Sequence, residues 1–217
     1  GDRGSLDGEN FRIGPYASWT GEDWYVDASL SFGMGDYDQT RVIRVPGQPV
    51  RTARGDYDGD DISGALTIGR AMQFGNDWRV TPALTLQYAT FDFDGYTETG
   101  AGVQNLAISD RSQDSLRSRL GVTVSRRFTG DRLTFVPELT IGWEHEFEDY
   151  DDVEAAFVVG GGPFTVGVGS PLEDAFVLGG GVTVMLDERL AGFVRYDGTW
   201  ASGGDTQGVT LGLSISF

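Results

Sequence analysis

The 217-residue sequence predicts an all-β fold, an antiparallel transmembrane β-barrel whose apolar face points outward. Three observations predict it: long segments with strict two-residue alternation, connections that alternate between short and long, and aromatic residues beside the short connections. The composition agrees, because 33 residues are glycine and 12% are aromatic. Disordered chains lack aromatic residues, so a folded chain is expected.

Charge and cysteine content exclude several classes of protein. The 16 basic residues, all of them arginine, are outnumbered by 33 acidic ones, which gives a net charge of −17. This balance argues against nucleic acid as a partner, because phosphate binding needs a basic surface. The chain has no cysteine, which excludes disulfides, thiolate metal sites and cysteine nucleophiles. The longest uncharged stretch, 155–172, contains five glycines and two prolines, so no helical membrane span is predicted.

The alternation is clearest at the C-terminus, in the segment GVTLGLSISF. One face of this segment is wholly apolar: Val209, Leu211, Leu213, Ile215 and Phe217. Segments that begin at Trp24, Trp78 and Leu133 repeat the pattern. In a soluble sandwich the apolar set would form the core, whereas in a membrane barrel it faces lipid and the polar set lines the lumen.

Strand lengths and connections favour the membrane barrel. The alternation predicts nine membrane strands: 9–19, 24–36, 62–74, 78–91, 115–128, 133–147, 175–186, 189–199 and 208–217. Short turns are predicted at 20–23, 75–77, 129–132 and 187–189, and long loops over about 35–61, 92–115, 148–174 and 197–207. Short periplasmic turns opposite long outer loops are typical of outer-membrane barrels. We therefore expect a polar N-terminal segment at 1–8, a barrel domain over 9–217, and a hairpin above the membrane within 155–168.

Aromatic residues, together with the terminal Phe217, are predicted to form an interfacial girdle, where amphipathic rings lie at the level of the lipid headgroups. These residues are Trp19, Trp24, Phe74, Trp78, Phe128 and Trp143.

Charged residues of the polar set are predicted to line the lumen: Arg117, Arg119, Glu138, Glu144 and Arg195. If Phe128 lies opposite Leu133, the register places Arg117 opposite Glu144 as a cross-strand ion pair. We interpret these charges as lumen-filling side chains, and a gate or a ligand contact is the alternative.

Two arginines fall in the apolar phase of their strands. Arg126 lies near a predicted turn, from which a long side chain can reach water. Arg70 requires the same behaviour, or a bulge at Gly69 that resets the alternation.

The order of landmarks resembles a known family. The segments GPYASWTGEDWYVDASLSFGMGDY, WRVTPALTLQYATFDFDGYTETGA and LTFVPELTIGWEHEFED, followed by the C-terminal strand ending in Phe217, are similar to the autotransporter translocator domain. The resemblance covers residues 14–217. It implies a twelve-stranded barrel in the bacterial outer membrane that exports an N-terminal passenger by type V secretion, with a linker helix in the pore.

The resemblance also implies partners: outer-membrane lipid and lipopolysaccharide, a passenger or another chain, and the barrel-assembly machinery, which reads a C-terminal strand of this kind. The sequence departs from the family in having nine readable spans and no helix before residue 9. Nine spans conflict with the even strand numbers of single-chain barrels. The twelve-stranded pattern of the family implies about three further strands before Gly1, or closure against another chain. The alternative function is a passenger-free outer-membrane protein that acts as a small pore, an adhesin or a structural component.

Candidates for chemistry are few, and we expect no enzymatic activity and no cofactor or metal site. His145 is the single histidine and is interpreted as a girdle residue. The alternative is a lipid-facing catalytic histidine as in outer-membrane lipid A deacylases, which have a serine two residues later. This chain has Phe147 at that position, so the nucleophile is missing. Calcium is the alternative for the recurring aspartates, such as DYDGDD at 56–61, although that segment lacks the glutamate that completes an EF-hand.

Overall fold

The computed structural model describes residues 4–131, 133–167, 169, 173–186 and 189–215. Over these residues the fold consists of β-strands and one short 3₁₀ helix, Gly102–Gln104. The strands are β1 (Gly4–Ile13), β2 (Tyr16–Thr20), β3 (Trp24–Ile43), β4 (Arg51–Arg70), β5 (Met72–Phe74), β6 (Trp78–Phe93), β7 (Tyr96–Thr97), β8 (Leu106–Ile108), β9 (Arg111–Arg126), β10 (Phe128–Thr129), β11 (Thr134–Glu146), β12 (Val153–Phe157), β13 (Phe164–Val166), β14 (Asp174–Met185), β15 (Leu190–Ala201) and β16 (Gly204–Ile215). No helix within these described ranges has the length and hydropathy to cross a bilayer.

Twelve of the strands form one antiparallel sheet in the order β1-β3-β4-β6-β9-β11-β14-β15-β16, with β2, β5 and β10 beside it. These three short strands continue β1, β4 and β9 in the same register. The sheet therefore has nine spans in chain order, which confirms the predicted number. Within the described residues, β1 and β16 are its two edge strands.

Proline accounts for the three interruptions. Pro15 separates β1 from β2, and its carbonyl accepts a hydrogen bond from the Leu30 N–H at 3.1 Å. Pro82 and Pro137 lie opposite the breaks in the other two spans, where a residue without an N–H removes a ladder hydrogen bond. The pairing of β6 runs through its break without a shift, from Gly69 opposite Ala83 to Met72 opposite Val80. The register thus contains no bulge at Gly69.

Two of the predicted long loops are wrong. The segment predicted as a loop over 35–61 is a hairpin of two 20-residue strands, β3 and β4, joined by residues 44–50 alone. The segment 197–207 is likewise mostly strand, since β15 runs to Ala201 and β16 begins at Gly204. Each of these strands continues beyond the stretch where its outward-facing residues are apolar. The loss of hydrophobicity therefore does not mark the end of the strand. The first strand also begins earlier than predicted, with Gly4 paired to Arg41.

The two remaining long connections form a second sheet at the outer end of the first. Its order is β13-β12-β8-β7. The pairing of β12 with β13 confirms the hairpin predicted within 155–168. A bridge between Arg54 and Thr99 joins this loop sheet to the end of β4.

The large apolar side chains cover the outer surface of the main sheet. Leu211 and Leu213 are 76% and 79% exposed, and Leu30, Leu84, Leu120 and Ile141 are also exposed. The buried apolar residues are small and include Ala53, Ala101 and Val177. An apolar exterior around a polar interior is the arrangement of a barrel in lipid.

Candidate functional site

The middle of the inner face of β3, β4 and β6, between Asp27, Asp61 and Arg79, carries small, uncharged side chains, which we call the neutral wall: Ser29, Ser31, Ser63, Ala65, Thr67, Ala83, Thr85 and Ala89. Hydroxyl groups of adjacent strands satisfy one another here, with 2.8 Å between Ser31 Oγ and Ser63 Oγ and 2.9 Å between Thr67 Oγ1 and Thr85 Oγ1. A recess of about 360 Å³ extends from this wall to Gln87 and Arg117. The neutral wall thus presents polar groups and open space without charge.

The inner face of β9, β11, β14 and β15 carries three ion pairs, which we call the charged wall. Arg117 Nε donates to Glu146 Oε2 at 2.7 Å, Arg119 Nη2 to Glu144 Oε2 at 2.6 Å, and Arg195 Nη2 to Glu138 Oε1 at 2.6 Å. The five charges predicted in the lumen therefore share one wall, and the sequence analysis missed Glu146. This carboxylate is nearly buried and also accepts hydrogen bonds from the Ser115 hydroxyl and the Leu116 N–H.

Glu144, the predicted partner of Arg117, is wrong, because the true register of the two strands is shifted by two residues. Arg117 lies opposite Glu146, and Glu144 lies opposite Arg119. The reason lies in the turn, where Phe128 pairs with Phe135, the two rings stack at 4.7 Å, and Gly130 N–H bonds to the Leu133 carbonyl. Leu133 therefore belongs to the turn. A shift of two residues keeps every side chain on its face, so alternation could not reveal the error.

Glycine allows two ion pairs to form across an intervening strand. Gly181 lies between Glu138 and Arg195 in the pairing of β11, β14 and β15. Gly33 lies in the same way between Arg12 and Asp61, whose side chains meet at 2.7 Å. A Cβ on Gly33 would lie only 2.1 Å from Asp61 Oδ1, so a larger residue would displace this ion pair.

The outer mouth is held by contacts that the sequence did not indicate. Glu98 of the loop connection is 3% exposed, accepts from Arg41 Nε at 2.8 Å, and accepts from the Leu106 N–H at 2.8 Å. The hydrogen bond to Glu98 raises the pKa of Arg41. The guanidinium therefore stays charged and fixes the loop sheet to β3.

Three tyrosines stack beside this ion pair, and we call them the tyrosine ladder. The ring of Tyr96 lies 4.8 Å from that of Tyr57, which lies 5.2 Å from that of Tyr37. Gly55 makes room, because a Cβ there would lie 2.4 Å from the Tyr96 ring. Desolvation raises the pKa of Tyr96, so its hydroxyl stays protonated and donates to Gln39 at 2.7 Å.

Five of the predicted girdle residues lie beside the short turns on the outer face, namely Trp19, Trp24, Phe74, Trp78 and Phe128. Trp143 lies near the opposite end of β11, where its indole N–H donates to Asp174 at 3.0 Å. Their contact with membrane interfaces stays a prediction.

Arg70 and Arg126 lie on the same outer face. Arg70 reaches Asp23 in the adjoining turn at 3.3 Å and lies 5.6 Å from the centre of the Trp24 ring. The register is unshifted at Gly69, and Arg70 contacts the turn. Both observations favour an Arg70 side chain that extends towards water over a bulge at Gly69.

The C-terminal residues Val209, Leu211, Leu213 and Ile215 share one face of β16, paired throughout with β15. Phe217 lies outside the described residues. Recognition of this strand during assembly stays a prediction.

His145 contacts one carboxylate and two aromatic rings, and two of the aspartates face each other across adjacent strands. His145 Nδ1 lies 3.0 Å from Asp174, and the ring contacts Trp143 and Phe147. Asp36 and Asp58 pair across β3 and β4; partial desolvation and the neighbouring Asp36 carboxylate raise the pKa of Asp58. Among the described residues, no group of three or more histidines, cysteines or carboxylates is arranged to hold a metal ion.

Comparison with known families agrees with this geometry. The model of the autotransporter beta-domain matches residues 1–197, which is most of the chain. The chain belongs to this family. It is accordingly an outer-membrane β-barrel domain of the autotransporter type, located in the bacterial outer membrane.

Individual relatives show the extent of the similarity. Esterase EstA of Pseudomonas aeruginosa is 28% identical over 202 residues, which are 89% of this chain and 30% of that protein. The chain therefore spans about 30% of the length of this curated relative.

Two solved structures share the fold. The translocator domain of NalP from Neisseria meningitidis aligns with a TM-score of 0.72 at 18% identity, over 98% of this chain and 69% of that one. The beta domain of the Bordetella autotransporter BrkA aligns with a TM-score of 0.65 at 20% identity, over 98% of this chain and 75% of that one.

Proposed function

We propose that this β-domain anchors an N-terminal passenger in the outer membrane and exports it through the lumen between the neutral and charged walls. The observation that carries the proposal is the inner face, where small hydroxyl side chains and paired charges line the interior. Membership of the autotransporter family supports the same function.

The neutral wall suits the passage of an extended chain. Its serine, threonine and alanine side chains leave room beside the strands, as the recess of about 360 Å³ indicates. Its hydroxyls can exchange hydrogen bonds with the backbone groups of a moving polypeptide, which need partners wherever water is scarce.

The charged wall suits passage because its charges are already paired. Arg117, Arg119 and Arg195 each have a carboxylate at 2.7 Å or less. A passing segment therefore meets little uncompensated charge on this wall that would hold it in place, in spite of the net charge of −17.

We further propose that this domain has no catalytic role of its own. A serine esterase needs a nucleophile within reach of its base, whereas the described contacts of His145 are Asp174 and two aromatic rings. The activity in the name of esterase EstA belongs to that longer protein.

Export can be tested with a cysteine-free epitope-tagged reporter placed upstream of the full-length protein. Ser31→Trp and Ala65→Trp place a bulky ring on the neutral wall, and Leu30→Trp and Leu66→Trp place the same ring on the outer face of the same strands. We expect the inward variants to slow the appearance of the reporter on intact cells and the outward variants to export it normally.

Gel mobility before and after heating should show a folded barrel in every variant. A reporter that stays in the periplasm behind a folded wild-type barrel would contradict export. That result would favour the passenger-free alternative.

A further inference from the structure

Arg126 lies on the outer face of the sheet, with its guanidinium group against two aromatic rings. It pairs with Trp78 across β6 and β9, and its guanidinium carbon lies 5.1 Å from the centre of the Trp78 ring. The centre of the Phe128 ring lies 4.7 Å from the same carbon. A cation held between two rings is fixed in position and loses part of its hydration.

In the described part of the chain Arg126 has no carboxylate partner, unlike Arg70, which lies on the same outer face and pairs with Asp23. Arg12, Arg70, Arg117, Arg119 and Arg195 each form an ion pair. Arg126 Nε is buried without a hydrogen-bond partner. In the described part of the chain, no ion pair joins Arg126 to Asp77 or Asp131, the aspartates of the two adjacent turns. The half-buried side chain therefore carries a charge that no described carboxylate neutralises.

The position of Arg126 determines which anions can reach it. The residue ends β9 beside the short turns, among outward-facing Val80, Val124 and Phe135. In an outer-membrane barrel this end faces the periplasmic leaflet, and the anions available at that depth are the phosphates of lipid headgroups.

We propose that Arg126, between Trp78 and Phe128, binds the headgroup phosphate of an anionic phospholipid in the periplasmic leaflet. The planar guanidinium can donate two parallel hydrogen bonds to phosphate oxygens. The rings contact the glycerol and the upper acyl chains, because outer-membrane barrels carry aromatic girdles at this interface. A zwitterionic headgroup brings its own ammonium group and leaves the arginine charge less well neutralised.

The proposal can be tested by native mass spectrometry of the full-length protein, extracted in a non-ionic detergent and titrated with phosphatidylglycerol or phosphatidylcholine. We expect the wild type to prefer phosphatidylglycerol and Arg126→Gln to lower this affinity by about tenfold, the ratio expected for one charge-assisted contact. Arg79→Gln is the matched control, because Arg79 lies one residue along the same strand pair and faces the lumen.

Three results would overturn the proposal. They are equal affinity of the wild type for the two lipids, full retention of phosphatidylglycerol by Arg126→Gln, and an equal loss in Arg79→Gln, which would indicate a non-specific charge effect. Glycerol 3-phosphate in excess separates the two sources of phosphate, since displacement of the lipid at comparable concentration would assign the site to a free anion. Unchanged heat-dependent gel mobility establishes that each variant is folded.

Discussion

At the scale of single residues, cross-strand ion pairs keep the inner face of the sheet polar while neutralising the charges that take part in them. Arg119 and Glu144 are direct cross-strand partners with 44% and 11% side-chain exposure. Glu144 is the more buried of the two. Removal of Arg119 should therefore cost more stability than removal of one partner of an exposed ion pair, because Glu144 would remain charged and buried without its partner.

A double-mutant cycle at this pair tests the register. Arg119→Ala and Glu144→Ala should each destabilise the protein, and the double variant should cost less than the sum, with a coupling of about 1 kcal/mol for a half-exposed pair. The matched cycle combines Arg119→Ala with Glu138→Ala, which pairs instead with Arg195 and should be additive. The free energy of unfolding in urea is the measurement. Coupling in the second cycle and additivity in the first would refute the pairing.

At the scale of the element, the sequence specifies faces better than it specifies lengths and registers. Alternation located all nine spans and both faces, because a strand with one face in lipid needs an apolar residue at every second position. It could not distinguish the pairing of Phe128 with Phe135 from that with Leu133, since both preserve the faces. It also could not foresee the hairpin of β3 and β4 above the membrane, where glycines and the tyrosine ladder replace the apolar belt.

Alternation also explains why the charged wall could be predicted only in part. Its members could be assigned to the inner face from alternation alone. Their partners depend on registers and on glycines such as Gly33 and Gly181, which let side chains meet across a whole strand. The Glu98 contact with Arg41 spans 57 residues and belongs to a loop without periodicity, so no local pattern could indicate it.

The terminal strand β16 carries a prediction about assembly. Leu213→Asp places a charge on the lipid face, which costs free energy at membrane depth, whereas Ser214→Asp places the same charge on the inner face of the same strand. The amount of folded protein in outer-membrane fractions should fall strongly for Leu213→Asp and little for Ser214→Asp. Deletion of Phe217 should also lower it. Equal levels of all variants would contradict a role for this strand in insertion.

At the scale of the whole molecule, the nine described spans leave two edges, at β1 and β16. An unpaired edge is not tolerated in hydrocarbon, because each backbone group without a partner costs several kcal/mol. We therefore expect additional strands, from the same polypeptide or another, to lie between these edges in the native barrel.

Cysteine cross-linking tests this expectation, since the chain has no cysteine of its own. The pair Val194→Cys and Leu211→Cys, opposite each other in β15 and β16, should form a disulfide. The pair Phe11→Cys and Leu211→Cys, on β1 and β16, should not. Efficient bonding of the second pair within the full-length protein would show that the two edges meet directly.

The central claim is that the apolar face meets lipid and the polar face lines an aqueous lumen. Adjacent residues of β6 test it most directly, because Leu86 lies on the outer face and Gln87 borders the recess. Nitroxide labels on Leu86→Cys and Gln87→Cys in vesicles should report opposite environments by electron paramagnetic resonance. We predict that the label at 86 collides with dissolved oxygen and that the label at 87 collides with a water-soluble nickel chelate. The claim would be contradicted if the label at 86 were shielded from both reagents, as in the core of a soluble protein, while the label at 87 were exposed to bulk water.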